Sequence, residues 1–270
     1  MKSLNFDSIS LTQALVRCPS ITPKDEGALD VVQNHLSHLG FKCTRLPFSD
    51  KNSYDVDNLF ATIGSDGKHI AFAGHTDVVP VDGQNWEKPP FKCTYENGLF
   101  YGRGTADMKG SIGALLSAIH ALKKCRIKPA FNIECSFTAD EETGGYLGTG
   151  EIIREGLCTA DFAVVCEGAG GTKVGCGHNG VLRLEVNFEG KSSHASSPEN
   201  GVNAFEAMVE VSNGLQQYKE ALEEKIKTYT DFDGVSRNPS ITIGGVFGGN
   251  QGHKINTVPA SAHFSIDRRL

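Results

Sequence analysis

The fold turns on the segment His69-Ile70-Ala71-Phe72-Ala73-Gly74-His75-Thr76-Asp77. Ile70 to Ala73 is an uncharged apolar run, and it reads as a buried strand. The run stops at a glycine and passes at once to an imidazole and a carboxylate. In open α/β sheets ligands bind outside the carboxyl ends of the strands, so His75 and Asp77 stand where ligands bind.

Upstream, Asn58–Ile63 is a second β-type run. Before it, Ser10–Cys18 spaces Leu11, Leu15 and Val16 for one helical face, and Pro19 ends it. Asp25–Leu39 repeats the pattern with Leu29, Val32, His35, Leu36 and Leu39, and Gly40 suits the C-terminal cap. Downstream, a loop rich in Pro, Gly and Asp runs to Lys88-Pro89-Pro90. Met108–Lys124 then reads as a helix. Ala130–Phe137 and Phe162–Val165 read as buried strands, with a short helical piece over Thr149–Glu155 between them. Strands alternating with helices predict an α/β fold, an α/β/α layer structure around a mostly parallel sheet.

Near Gly177–Gly180 the character changes. Val181–Phe188 alternates, with Leu182, Leu184, Val186 and Phe188 on one face and Arg183, Glu185 and Asn187 on the other. That is the pattern of an antiparallel strand wet on one side. A long amphipathic helix from about Val202 and strands at Ser240–Val246 and Ala262–Arg269 follow. The expected division is 1–178 for a catalytic α/β domain and 179–270 for a smaller α+β domain. The chain stops inside an alternating segment, Ile266-Asp267-Arg268-Arg269-Leu270, so more protein is expected to follow.

The 270 residues are 39% hydrophobic and 21% charged, which excludes a disordered or fibrous chain. A net charge of −6 and the lack of a long basic run disfavour a nucleic-acid partner. No apolar stretch reaches the ~18 residues of a membrane span. The polar start Met1-Lys2-Ser3-Leu4-Asn5-Phe6-Asp7 is no signal peptide, so a cytoplasmic protein is expected. Eight cysteines without a CxxC pair read as buried free thiols in a reducing compartment, not as a disulfide framework or thiolate zinc site.

Three further clusters lie where apolar runs end. Gly102-Arg103-Gly104-Thr105-Ala106-Asp107-Met108-Lys109-Gly110 looks like a phosphate loop. Its order fails, because Lys109 precedes Gly110 and Ser111 where Walker A needs Gly-Lys-Ser/Thr. Asp107 is therefore either a metal ligand or the cap of the helix beginning near Met108. Thr138-Ala139-Asp140-Glu141-Glu142-Thr143-Gly144-Gly145 is either a solvated acidic turn or a ligand beside a general base. Glu167 closes Phe162–Cys166 and means little alone. Four strand-end sites in one domain, ordered His-x-Asp, Asp, Glu-Glu, Glu, point together to a two-metal hydrolytic centre built without thiolates.

This set resembles the zinc aminoacylase/carboxypeptidase family that includes acetylornithine deacetylase and succinyl-diaminopimelate desuccinylase. The likeness covers the whole chain. Leu15-Val16-Arg17-Cys18-Pro19-Ser20-Ile21-Thr22-Pro23 and Gly74-His75-Thr76-Asp77-Val78-Val79-Pro80 look most like the desuccinylase branch. Cys166-Glu167-Gly168-Ala169, where that branch shows Gly-Glu-Pro, departs from it, and Asp140-Glu141-Glu142-Thr143 looks nearer to the acetylornithine deacetylase side or to uncharacterised relatives.

The resemblance implies two Zn2+ ions, with Co2+ as a possible substitute. His75 and Glu167 would bind one ion, Glu142 the other, and Asp107 would bridge. Asp77 would orient His75, and Glu141 would be the general base. The second domain would be the family's lid and dimerisation domain, giving a homodimer. In it, His194 of Ser192-Ser193-His194-Ala195 would donate to the substrate carbonyl, generally in the neighbouring subunit's site, while Asn256 and Arg269 would grip the substrate. On spacing alone these three read as a surface histidine, a turn asparagine and an edge-strand arginine. The family's remaining ligand is a histidine in a C-terminal segment without a counterpart here. None of the nine histidines stands in a matching place, and His178 at the domain junction is a poor substitute.

The expected activity is removal of succinate from N-succinyl-LL-2,6-diaminopimelate. The rivals are hydrolysis of another N-acyl amino acid, such as N-acetylornithine, or of a dipeptide, and an inactive metal-binding, dimerising fragment.

Overall fold

The computed structural model describes residues 4–51, 54–65, 67–168, 174–175, 177, 180–225, 229–230, 234–249 and 254–269. The chain divides into two compact units, Met1–Thr172 and Lys173–Leu270.

In the first unit, helices α1 (Ser8–Val16) and α2 (Ala28–Leu39) precede strands β1 (Lys42–Phe48), β2 (Val56–Ile63) and β3 (His69–His75). A small hairpin, β4 (Thr94–Glu96) and β5 (Leu99–Tyr101), leads to α3 (Gly110–Lys124), β6 (Asn132–Thr138), α4 (Thr149–Arg154) and β7 (Phe162–Val165). The five-stranded sheet has the order β1-β2-β6-β3-β7. β6, β3 and β7 pair in parallel, while β2 runs against both β6 and β1. All strands except β2 thus point the same way, as the alternation of strands and helices predicts.

Local chemistry sets the helix ends. Asp7 caps α1 by accepting from the N–H groups of Ile9 at 3.1 Å and Ser10 at 3.0 Å. Gly40 ends α2 at φ 91°, a left-handed conformation that glycine adopts at no steric cost. The periodic apolar residues of the three long helices meet in one core. Leu11 and Leu15 of α1, Leu29, Val32 and Leu36 of α2, and Ile112 and Leu116 of α3 pack with Leu59 and Ala61 of β2 and Ile133, Cys135 and Phe137 of β6. Side chains alternate across a strand, so Asn58 points to the opposite sheet face. There it donates to the carbonyl of Leu147 at 2.8 Å, placing the segment after β6 on that face.

Three expectations need correction. Phe162–Val165 is not buried: Phe162 is 54% and Val165 65% exposed. β7 is the sheet's edge, pairing with β3 alone among the described residues, so an apolar run here marks a strand without marking its burial. The helix expected from Met108 begins at Gly110, because Thr105–Lys109 forms a wide turn in which Asp107 and Met108 are not helical. Asp107 therefore does not cap the helix. The cysteines are free among the described residues, but only Cys93 and Cys135 are fully buried and Cys125 is exposed.

The second unit contains β8 (Val181–Glu189), α5 (Ala204–Lys225), a short pair β9 (Tyr229–Thr230) and β10 (Ser236–Arg237), β11 (Ser240–Gly248) and β12 (Ser261–Arg269). Its antiparallel sheet has the order β11-β12-β8. Met208, Leu215 and Leu222, seven residues apart along α5, pack on Val186, Phe188, Ile241, Phe264 and Ile266. The alternation predicted for β8 is realised at Val186 and Phe188. Leu182 and Leu184 remain 46% and 45% exposed, since the cluster under α5 includes only the later part of β8. No helix of the described residues is long and apolar enough to cross a membrane.

Candidate metal centre

Residues at the carboxyl ends of β3, β6 and β7 converge with the wide turn before α3. β3 ends at His75, which is buried, as is Asp77. β6 ends at Thr138, one turn before Glu141 and Glu142, and β7 ends two residues before Glu167. Parallel pairing of β3 with both β6 and β7 brings these ends level.

His75 is held from behind. Its Nδ1 lies 3.0 Å from the backbone carbonyl of Asp77 and 3.3 Å from the Asp77 carboxylate. Orientation of the ring is thus shared between carboxylate and carbonyl. With Nδ1–H donating there, Nε2 faces the other acids: Asp107 at 3.0 Å and Glu141 at 3.8 Å. Asp77 also accepts from the Thr22 hydroxyl at 2.7 Å and from the N–H groups of Glu141 at 3.3 Å and Glu142 at 3.2 Å. One buried carboxylate therefore ties the histidine to the acidic turn.

Among the described residues, two sets of three ligand atoms lie within 4.8 Å of one another. They are His75 with Glu141 and Glu167, and His75 with Asp107 and Glu142. Imidazole nitrogen with carboxylate oxygens suits zinc or another borderline divalent cation. A cavity of about 500 Å³ opens beside the cluster, lined by His75, Met108, Glu141, Tyr146, Arg154 and Glu167 among others.

The electrostatics agree with an anionic site. Burial opposes the charged ring of His75, but the hydrogen-bonded Asp77, with Glu141 and Asp107 beyond, outweighs it and lifts the imidazolium to about 9. For Asp77, burial works upward, yet hydrogen bonds from His75 and Thr22 leave it below the usual carboxylate range. Glu141 is raised by burial first, with His75 pulling the other way and Glu167 adding to the rise. Glu142 is raised by burial and then by Asp107. A cation replacing the proton on His75 would relieve this crowding of carboxylates.

The structure thus brings together His75, Asp77, Asp107, Glu141, Glu142 and Glu167. It makes Glu141 a member of one ligand-like set, so the expected division between base and ligand is not visible as a separation in space. The remaining predicted residues lie in the second unit. His194 bridges Thr257 across backbone, and its Nε2 lies 3.4 Å from the Asn256 amide nitrogen. Arg269 stands at the far end of β12 from that pair, about 26 Å beyond Ser261 at the usual rise per residue. Its guanidinium donates to Asp267 at 2.6 and 3.0 Å. His178 lies outside the described residues.

Sequence reasoning missed Ser20, Thr22 and Lys109. Lys109 was detectable, because Lys109, Ile112, Leu116 and Ile119 share one helical stripe and a lysine there is out of place. Ser20 and Thr22 act on the backbone and carboxylate of a segment more than 50 residues away, and no local pattern marks that.

The chain is similar to known proteins in sequence and in fold. A model described as peptidase family M20/M25/M40 matches residues 71–262. A succinyl-diaminopimelate desuccinylase of Caulobacter sp. (strain K31) is 36% identical over 222 residues, covering 79% of this chain and 55% of that protein. One from Rhodospirillum rubrum is 38% identical over 208 residues, covering 71% and 53%. The chain thus spans about half the length of the curated relatives it matches. Among solved structures, the M20 family metallo-carboxypeptidase Sso-CP2 of Sulfolobus solfataricus aligns with a TM-score of 0.74 at 21% identity, covering 98% of this chain and 71% of that one.

Proposed function

The chain belongs to peptidase family M20/M25/M40, and on that footing we propose a metal-dependent amidohydrolase that removes succinate from N-succinyl-LL-2,6-diaminopimelate. The observation that carries the hydrolase reading is the pair of overlapping ligand sets around His75. The substrate reading is supported by the desuccinylases at 36% and 38% identity.

His75, Asp107, Glu142 and Glu167 would hold two zinc ions, with cobalt as a substitute. Such cations lower the pKa of water and polarise an amide carbonyl. Asp77 fixes the His75 ring so that Nε2 keeps its direction. Glu141 takes the proton of the attacking water and delivers it to the departing amine nitrogen. Its burial and acidic neighbours raise its proton affinity toward what a base at neutral pH needs.

In the second unit, His194 and Asn256 would contact the acyl carbonyl and amide, and Arg269 the substrate carboxylate once released from Asp267. A homodimer would let His194 serve a neighbouring chain. The free thiols among the described residues support a reducing, cytoplasmic setting.

The test is hydrolysis of succinyl-diaminopimelate and acetylornithine with added zinc or cobalt, by the parent chain and by Glu141→Ala. The expected result is preference for the succinyl substrate, with Glu141→Ala losing turnover while keeping bound zinc. Equal loss of zinc and turnover would make Glu141 a ligand, and preference for acetylornithine would replace the substrate assignment.

A further inference from the structure

The wide turn that carries Asp107 ends in a lysine with no access to solvent: Lys109 is 0% exposed. Its ammonium donates to two neutral oxygens, the carbonyl of Cys18 at 2.7 Å and the hydroxyl of Ser20 at 2.8 Å. Burying a full charge against neutral acceptors is costly, so the arrangement calls for a reason beyond packing. The Ser20 hydroxyl passes the contact on, donating to the carbonyl of Thr76 at 2.5 Å. Thr76 sits between His75 and Asp77. The same segment is bound to the next residue as well, since the N–H of Val78 donates to Ser20 at 2.9 Å and the N–H of Thr22 donates to Val78 at 3.2 Å.

Resting on the reading of this cluster as a cation site, we propose that Lys109 is its positioning residue. Through Ser20, its ammonium ties the turn bearing Asp107 to the turn bearing His75 and Asp77, and so sets the separation of the ligands. Neighbouring contacts fit this role. The backbone N–H of Lys109 donates to Gly104 at 2.9 Å, closing the wide turn on itself. Met108, between Asp107 and Lys109, is fully buried, and its sulfur accepts from the N–H of His75 at 3.2 Å. Asp107 thus projects from a turn whose next two side chains are both anchored beneath the His75 loop. Its own carboxylate faces the site, 3.0 Å from His75 Nε2.

Two physical effects predict opposite signs, which makes the proposal decidable. If Lys109 acted only through its charge, its removal would strengthen cation binding by relieving repulsion. If it acts by position, removal weakens binding, because groups that orient ligands typically matter by about 10- to 100-fold in affinity.

The experiment uses the full chain and its Lys109→Met and Ser20→Ala variants, with cobalt as the probe. Cobalt affinity is read by competition with a chromophoric chelator, the visible ligand-field spectrum is recorded, and melting is followed in the presence of chelator. The expected result is a loss of about 10- to 100-fold in affinity with an altered spectrum in Lys109→Met. Ser20→Ala, which keeps the charge and cuts the link to Thr76, should shift both readouts in the same direction. Should Lys109→Met fail to fold, Ser20→Ala decides by itself. Unchanged or tighter binding with the parental spectrum, in a variant that melts cooperatively, would overturn the proposal while leaving the cation site standing. A parent chain that bound no cobalt would overturn both.

Discussion

His75 carries the most chemistry per atom in this molecule, and its two nitrogens do different things. Nδ1 is fixed by Asp77, and Nε2 meets the carboxylates of Asp107 and Glu141. In the metal-free chain that environment holds a proton on the ring up to about pH 9. A divalent cation must displace this proton. Zinc affinity should therefore rise with pH, by roughly tenfold per unit below that value, and level off above it. Calorimetry in buffers of different ionisation enthalpy measures the released proton directly; binding at pH 7 without proton release would contradict the assignment. Asp77→Asn should reduce zinc affinity by about 10- to 100-fold, since Nδ1 loses its charged partner. Competition with a chelator reads this, and parental affinity in the variant would place ring orientation on the Asp77 carbonyl alone.

At the scale of elements, the wide turn Thr105–Lys109 is the least ordinary piece of backbone near the site. It opens at Gly104, which has φ 81°, and a Cβ there would lie 2.8 Å from Val78. Gly104→Ala should thus destabilise by more than about 1 kcal/mol, because alanine resists positive φ. Denaturant unfolding checks it, and a neutral result would mean the turn can relax. Burial of the strands and helices gives a second contrast. Val165→Thr, on the exposed edge strand β7, should change stability by less than about 0.5 kcal/mol, whereas Leu116→Ala in the core should cost about 2–5 kcal/mol. Similar costs for the two would show that β7 is covered.

These elements also mark how far the sequence could be read. The candidate ligands at the strand ends were legible because each follows an apolar run, and the parallel pairing of β3 with β6 and β7 sets those ends side by side. The stripes Leu29-Val32-Leu36 and Ile112-Leu116-Ile119 announced the helices of the core. What stayed hidden depends on contacts between distant segments. Phe162–Val165 is as apolar as a central strand, and only its place in the sheet exposes it. Asp107 could be read as a helix cap as well as a ligand, because a wide turn and a first helical turn share the same residues. Thr22 and Ser20 gain their meaning from Asp77 and Thr76, and Lys109 gains its own from being sealed off from water.

At the scale of the whole molecule, the first unit alone contains all six residues of the candidate centre, and the second contains His194, Asn256 and Arg269. A dimer formed through the second unit is an expectation of the proposed function. Sedimentation at micromolar concentration should show two chains together, and a monomer would remove His194 from a neighbour's site. His194→Ala should lower turnover without releasing zinc; parental turnover would end its role at the substrate. The central claim is simpler than these: the strand ends of the first unit hold a divalent cation. The direct measurement is elemental analysis of zinc in the full chain after equilibrium dialysis, beside the His75→Ala/Asp107→Ala double variant. The account predicts stoichiometric zinc in the parent and none in the variant. No zinc in the parent, or the same amount in both, would contradict it.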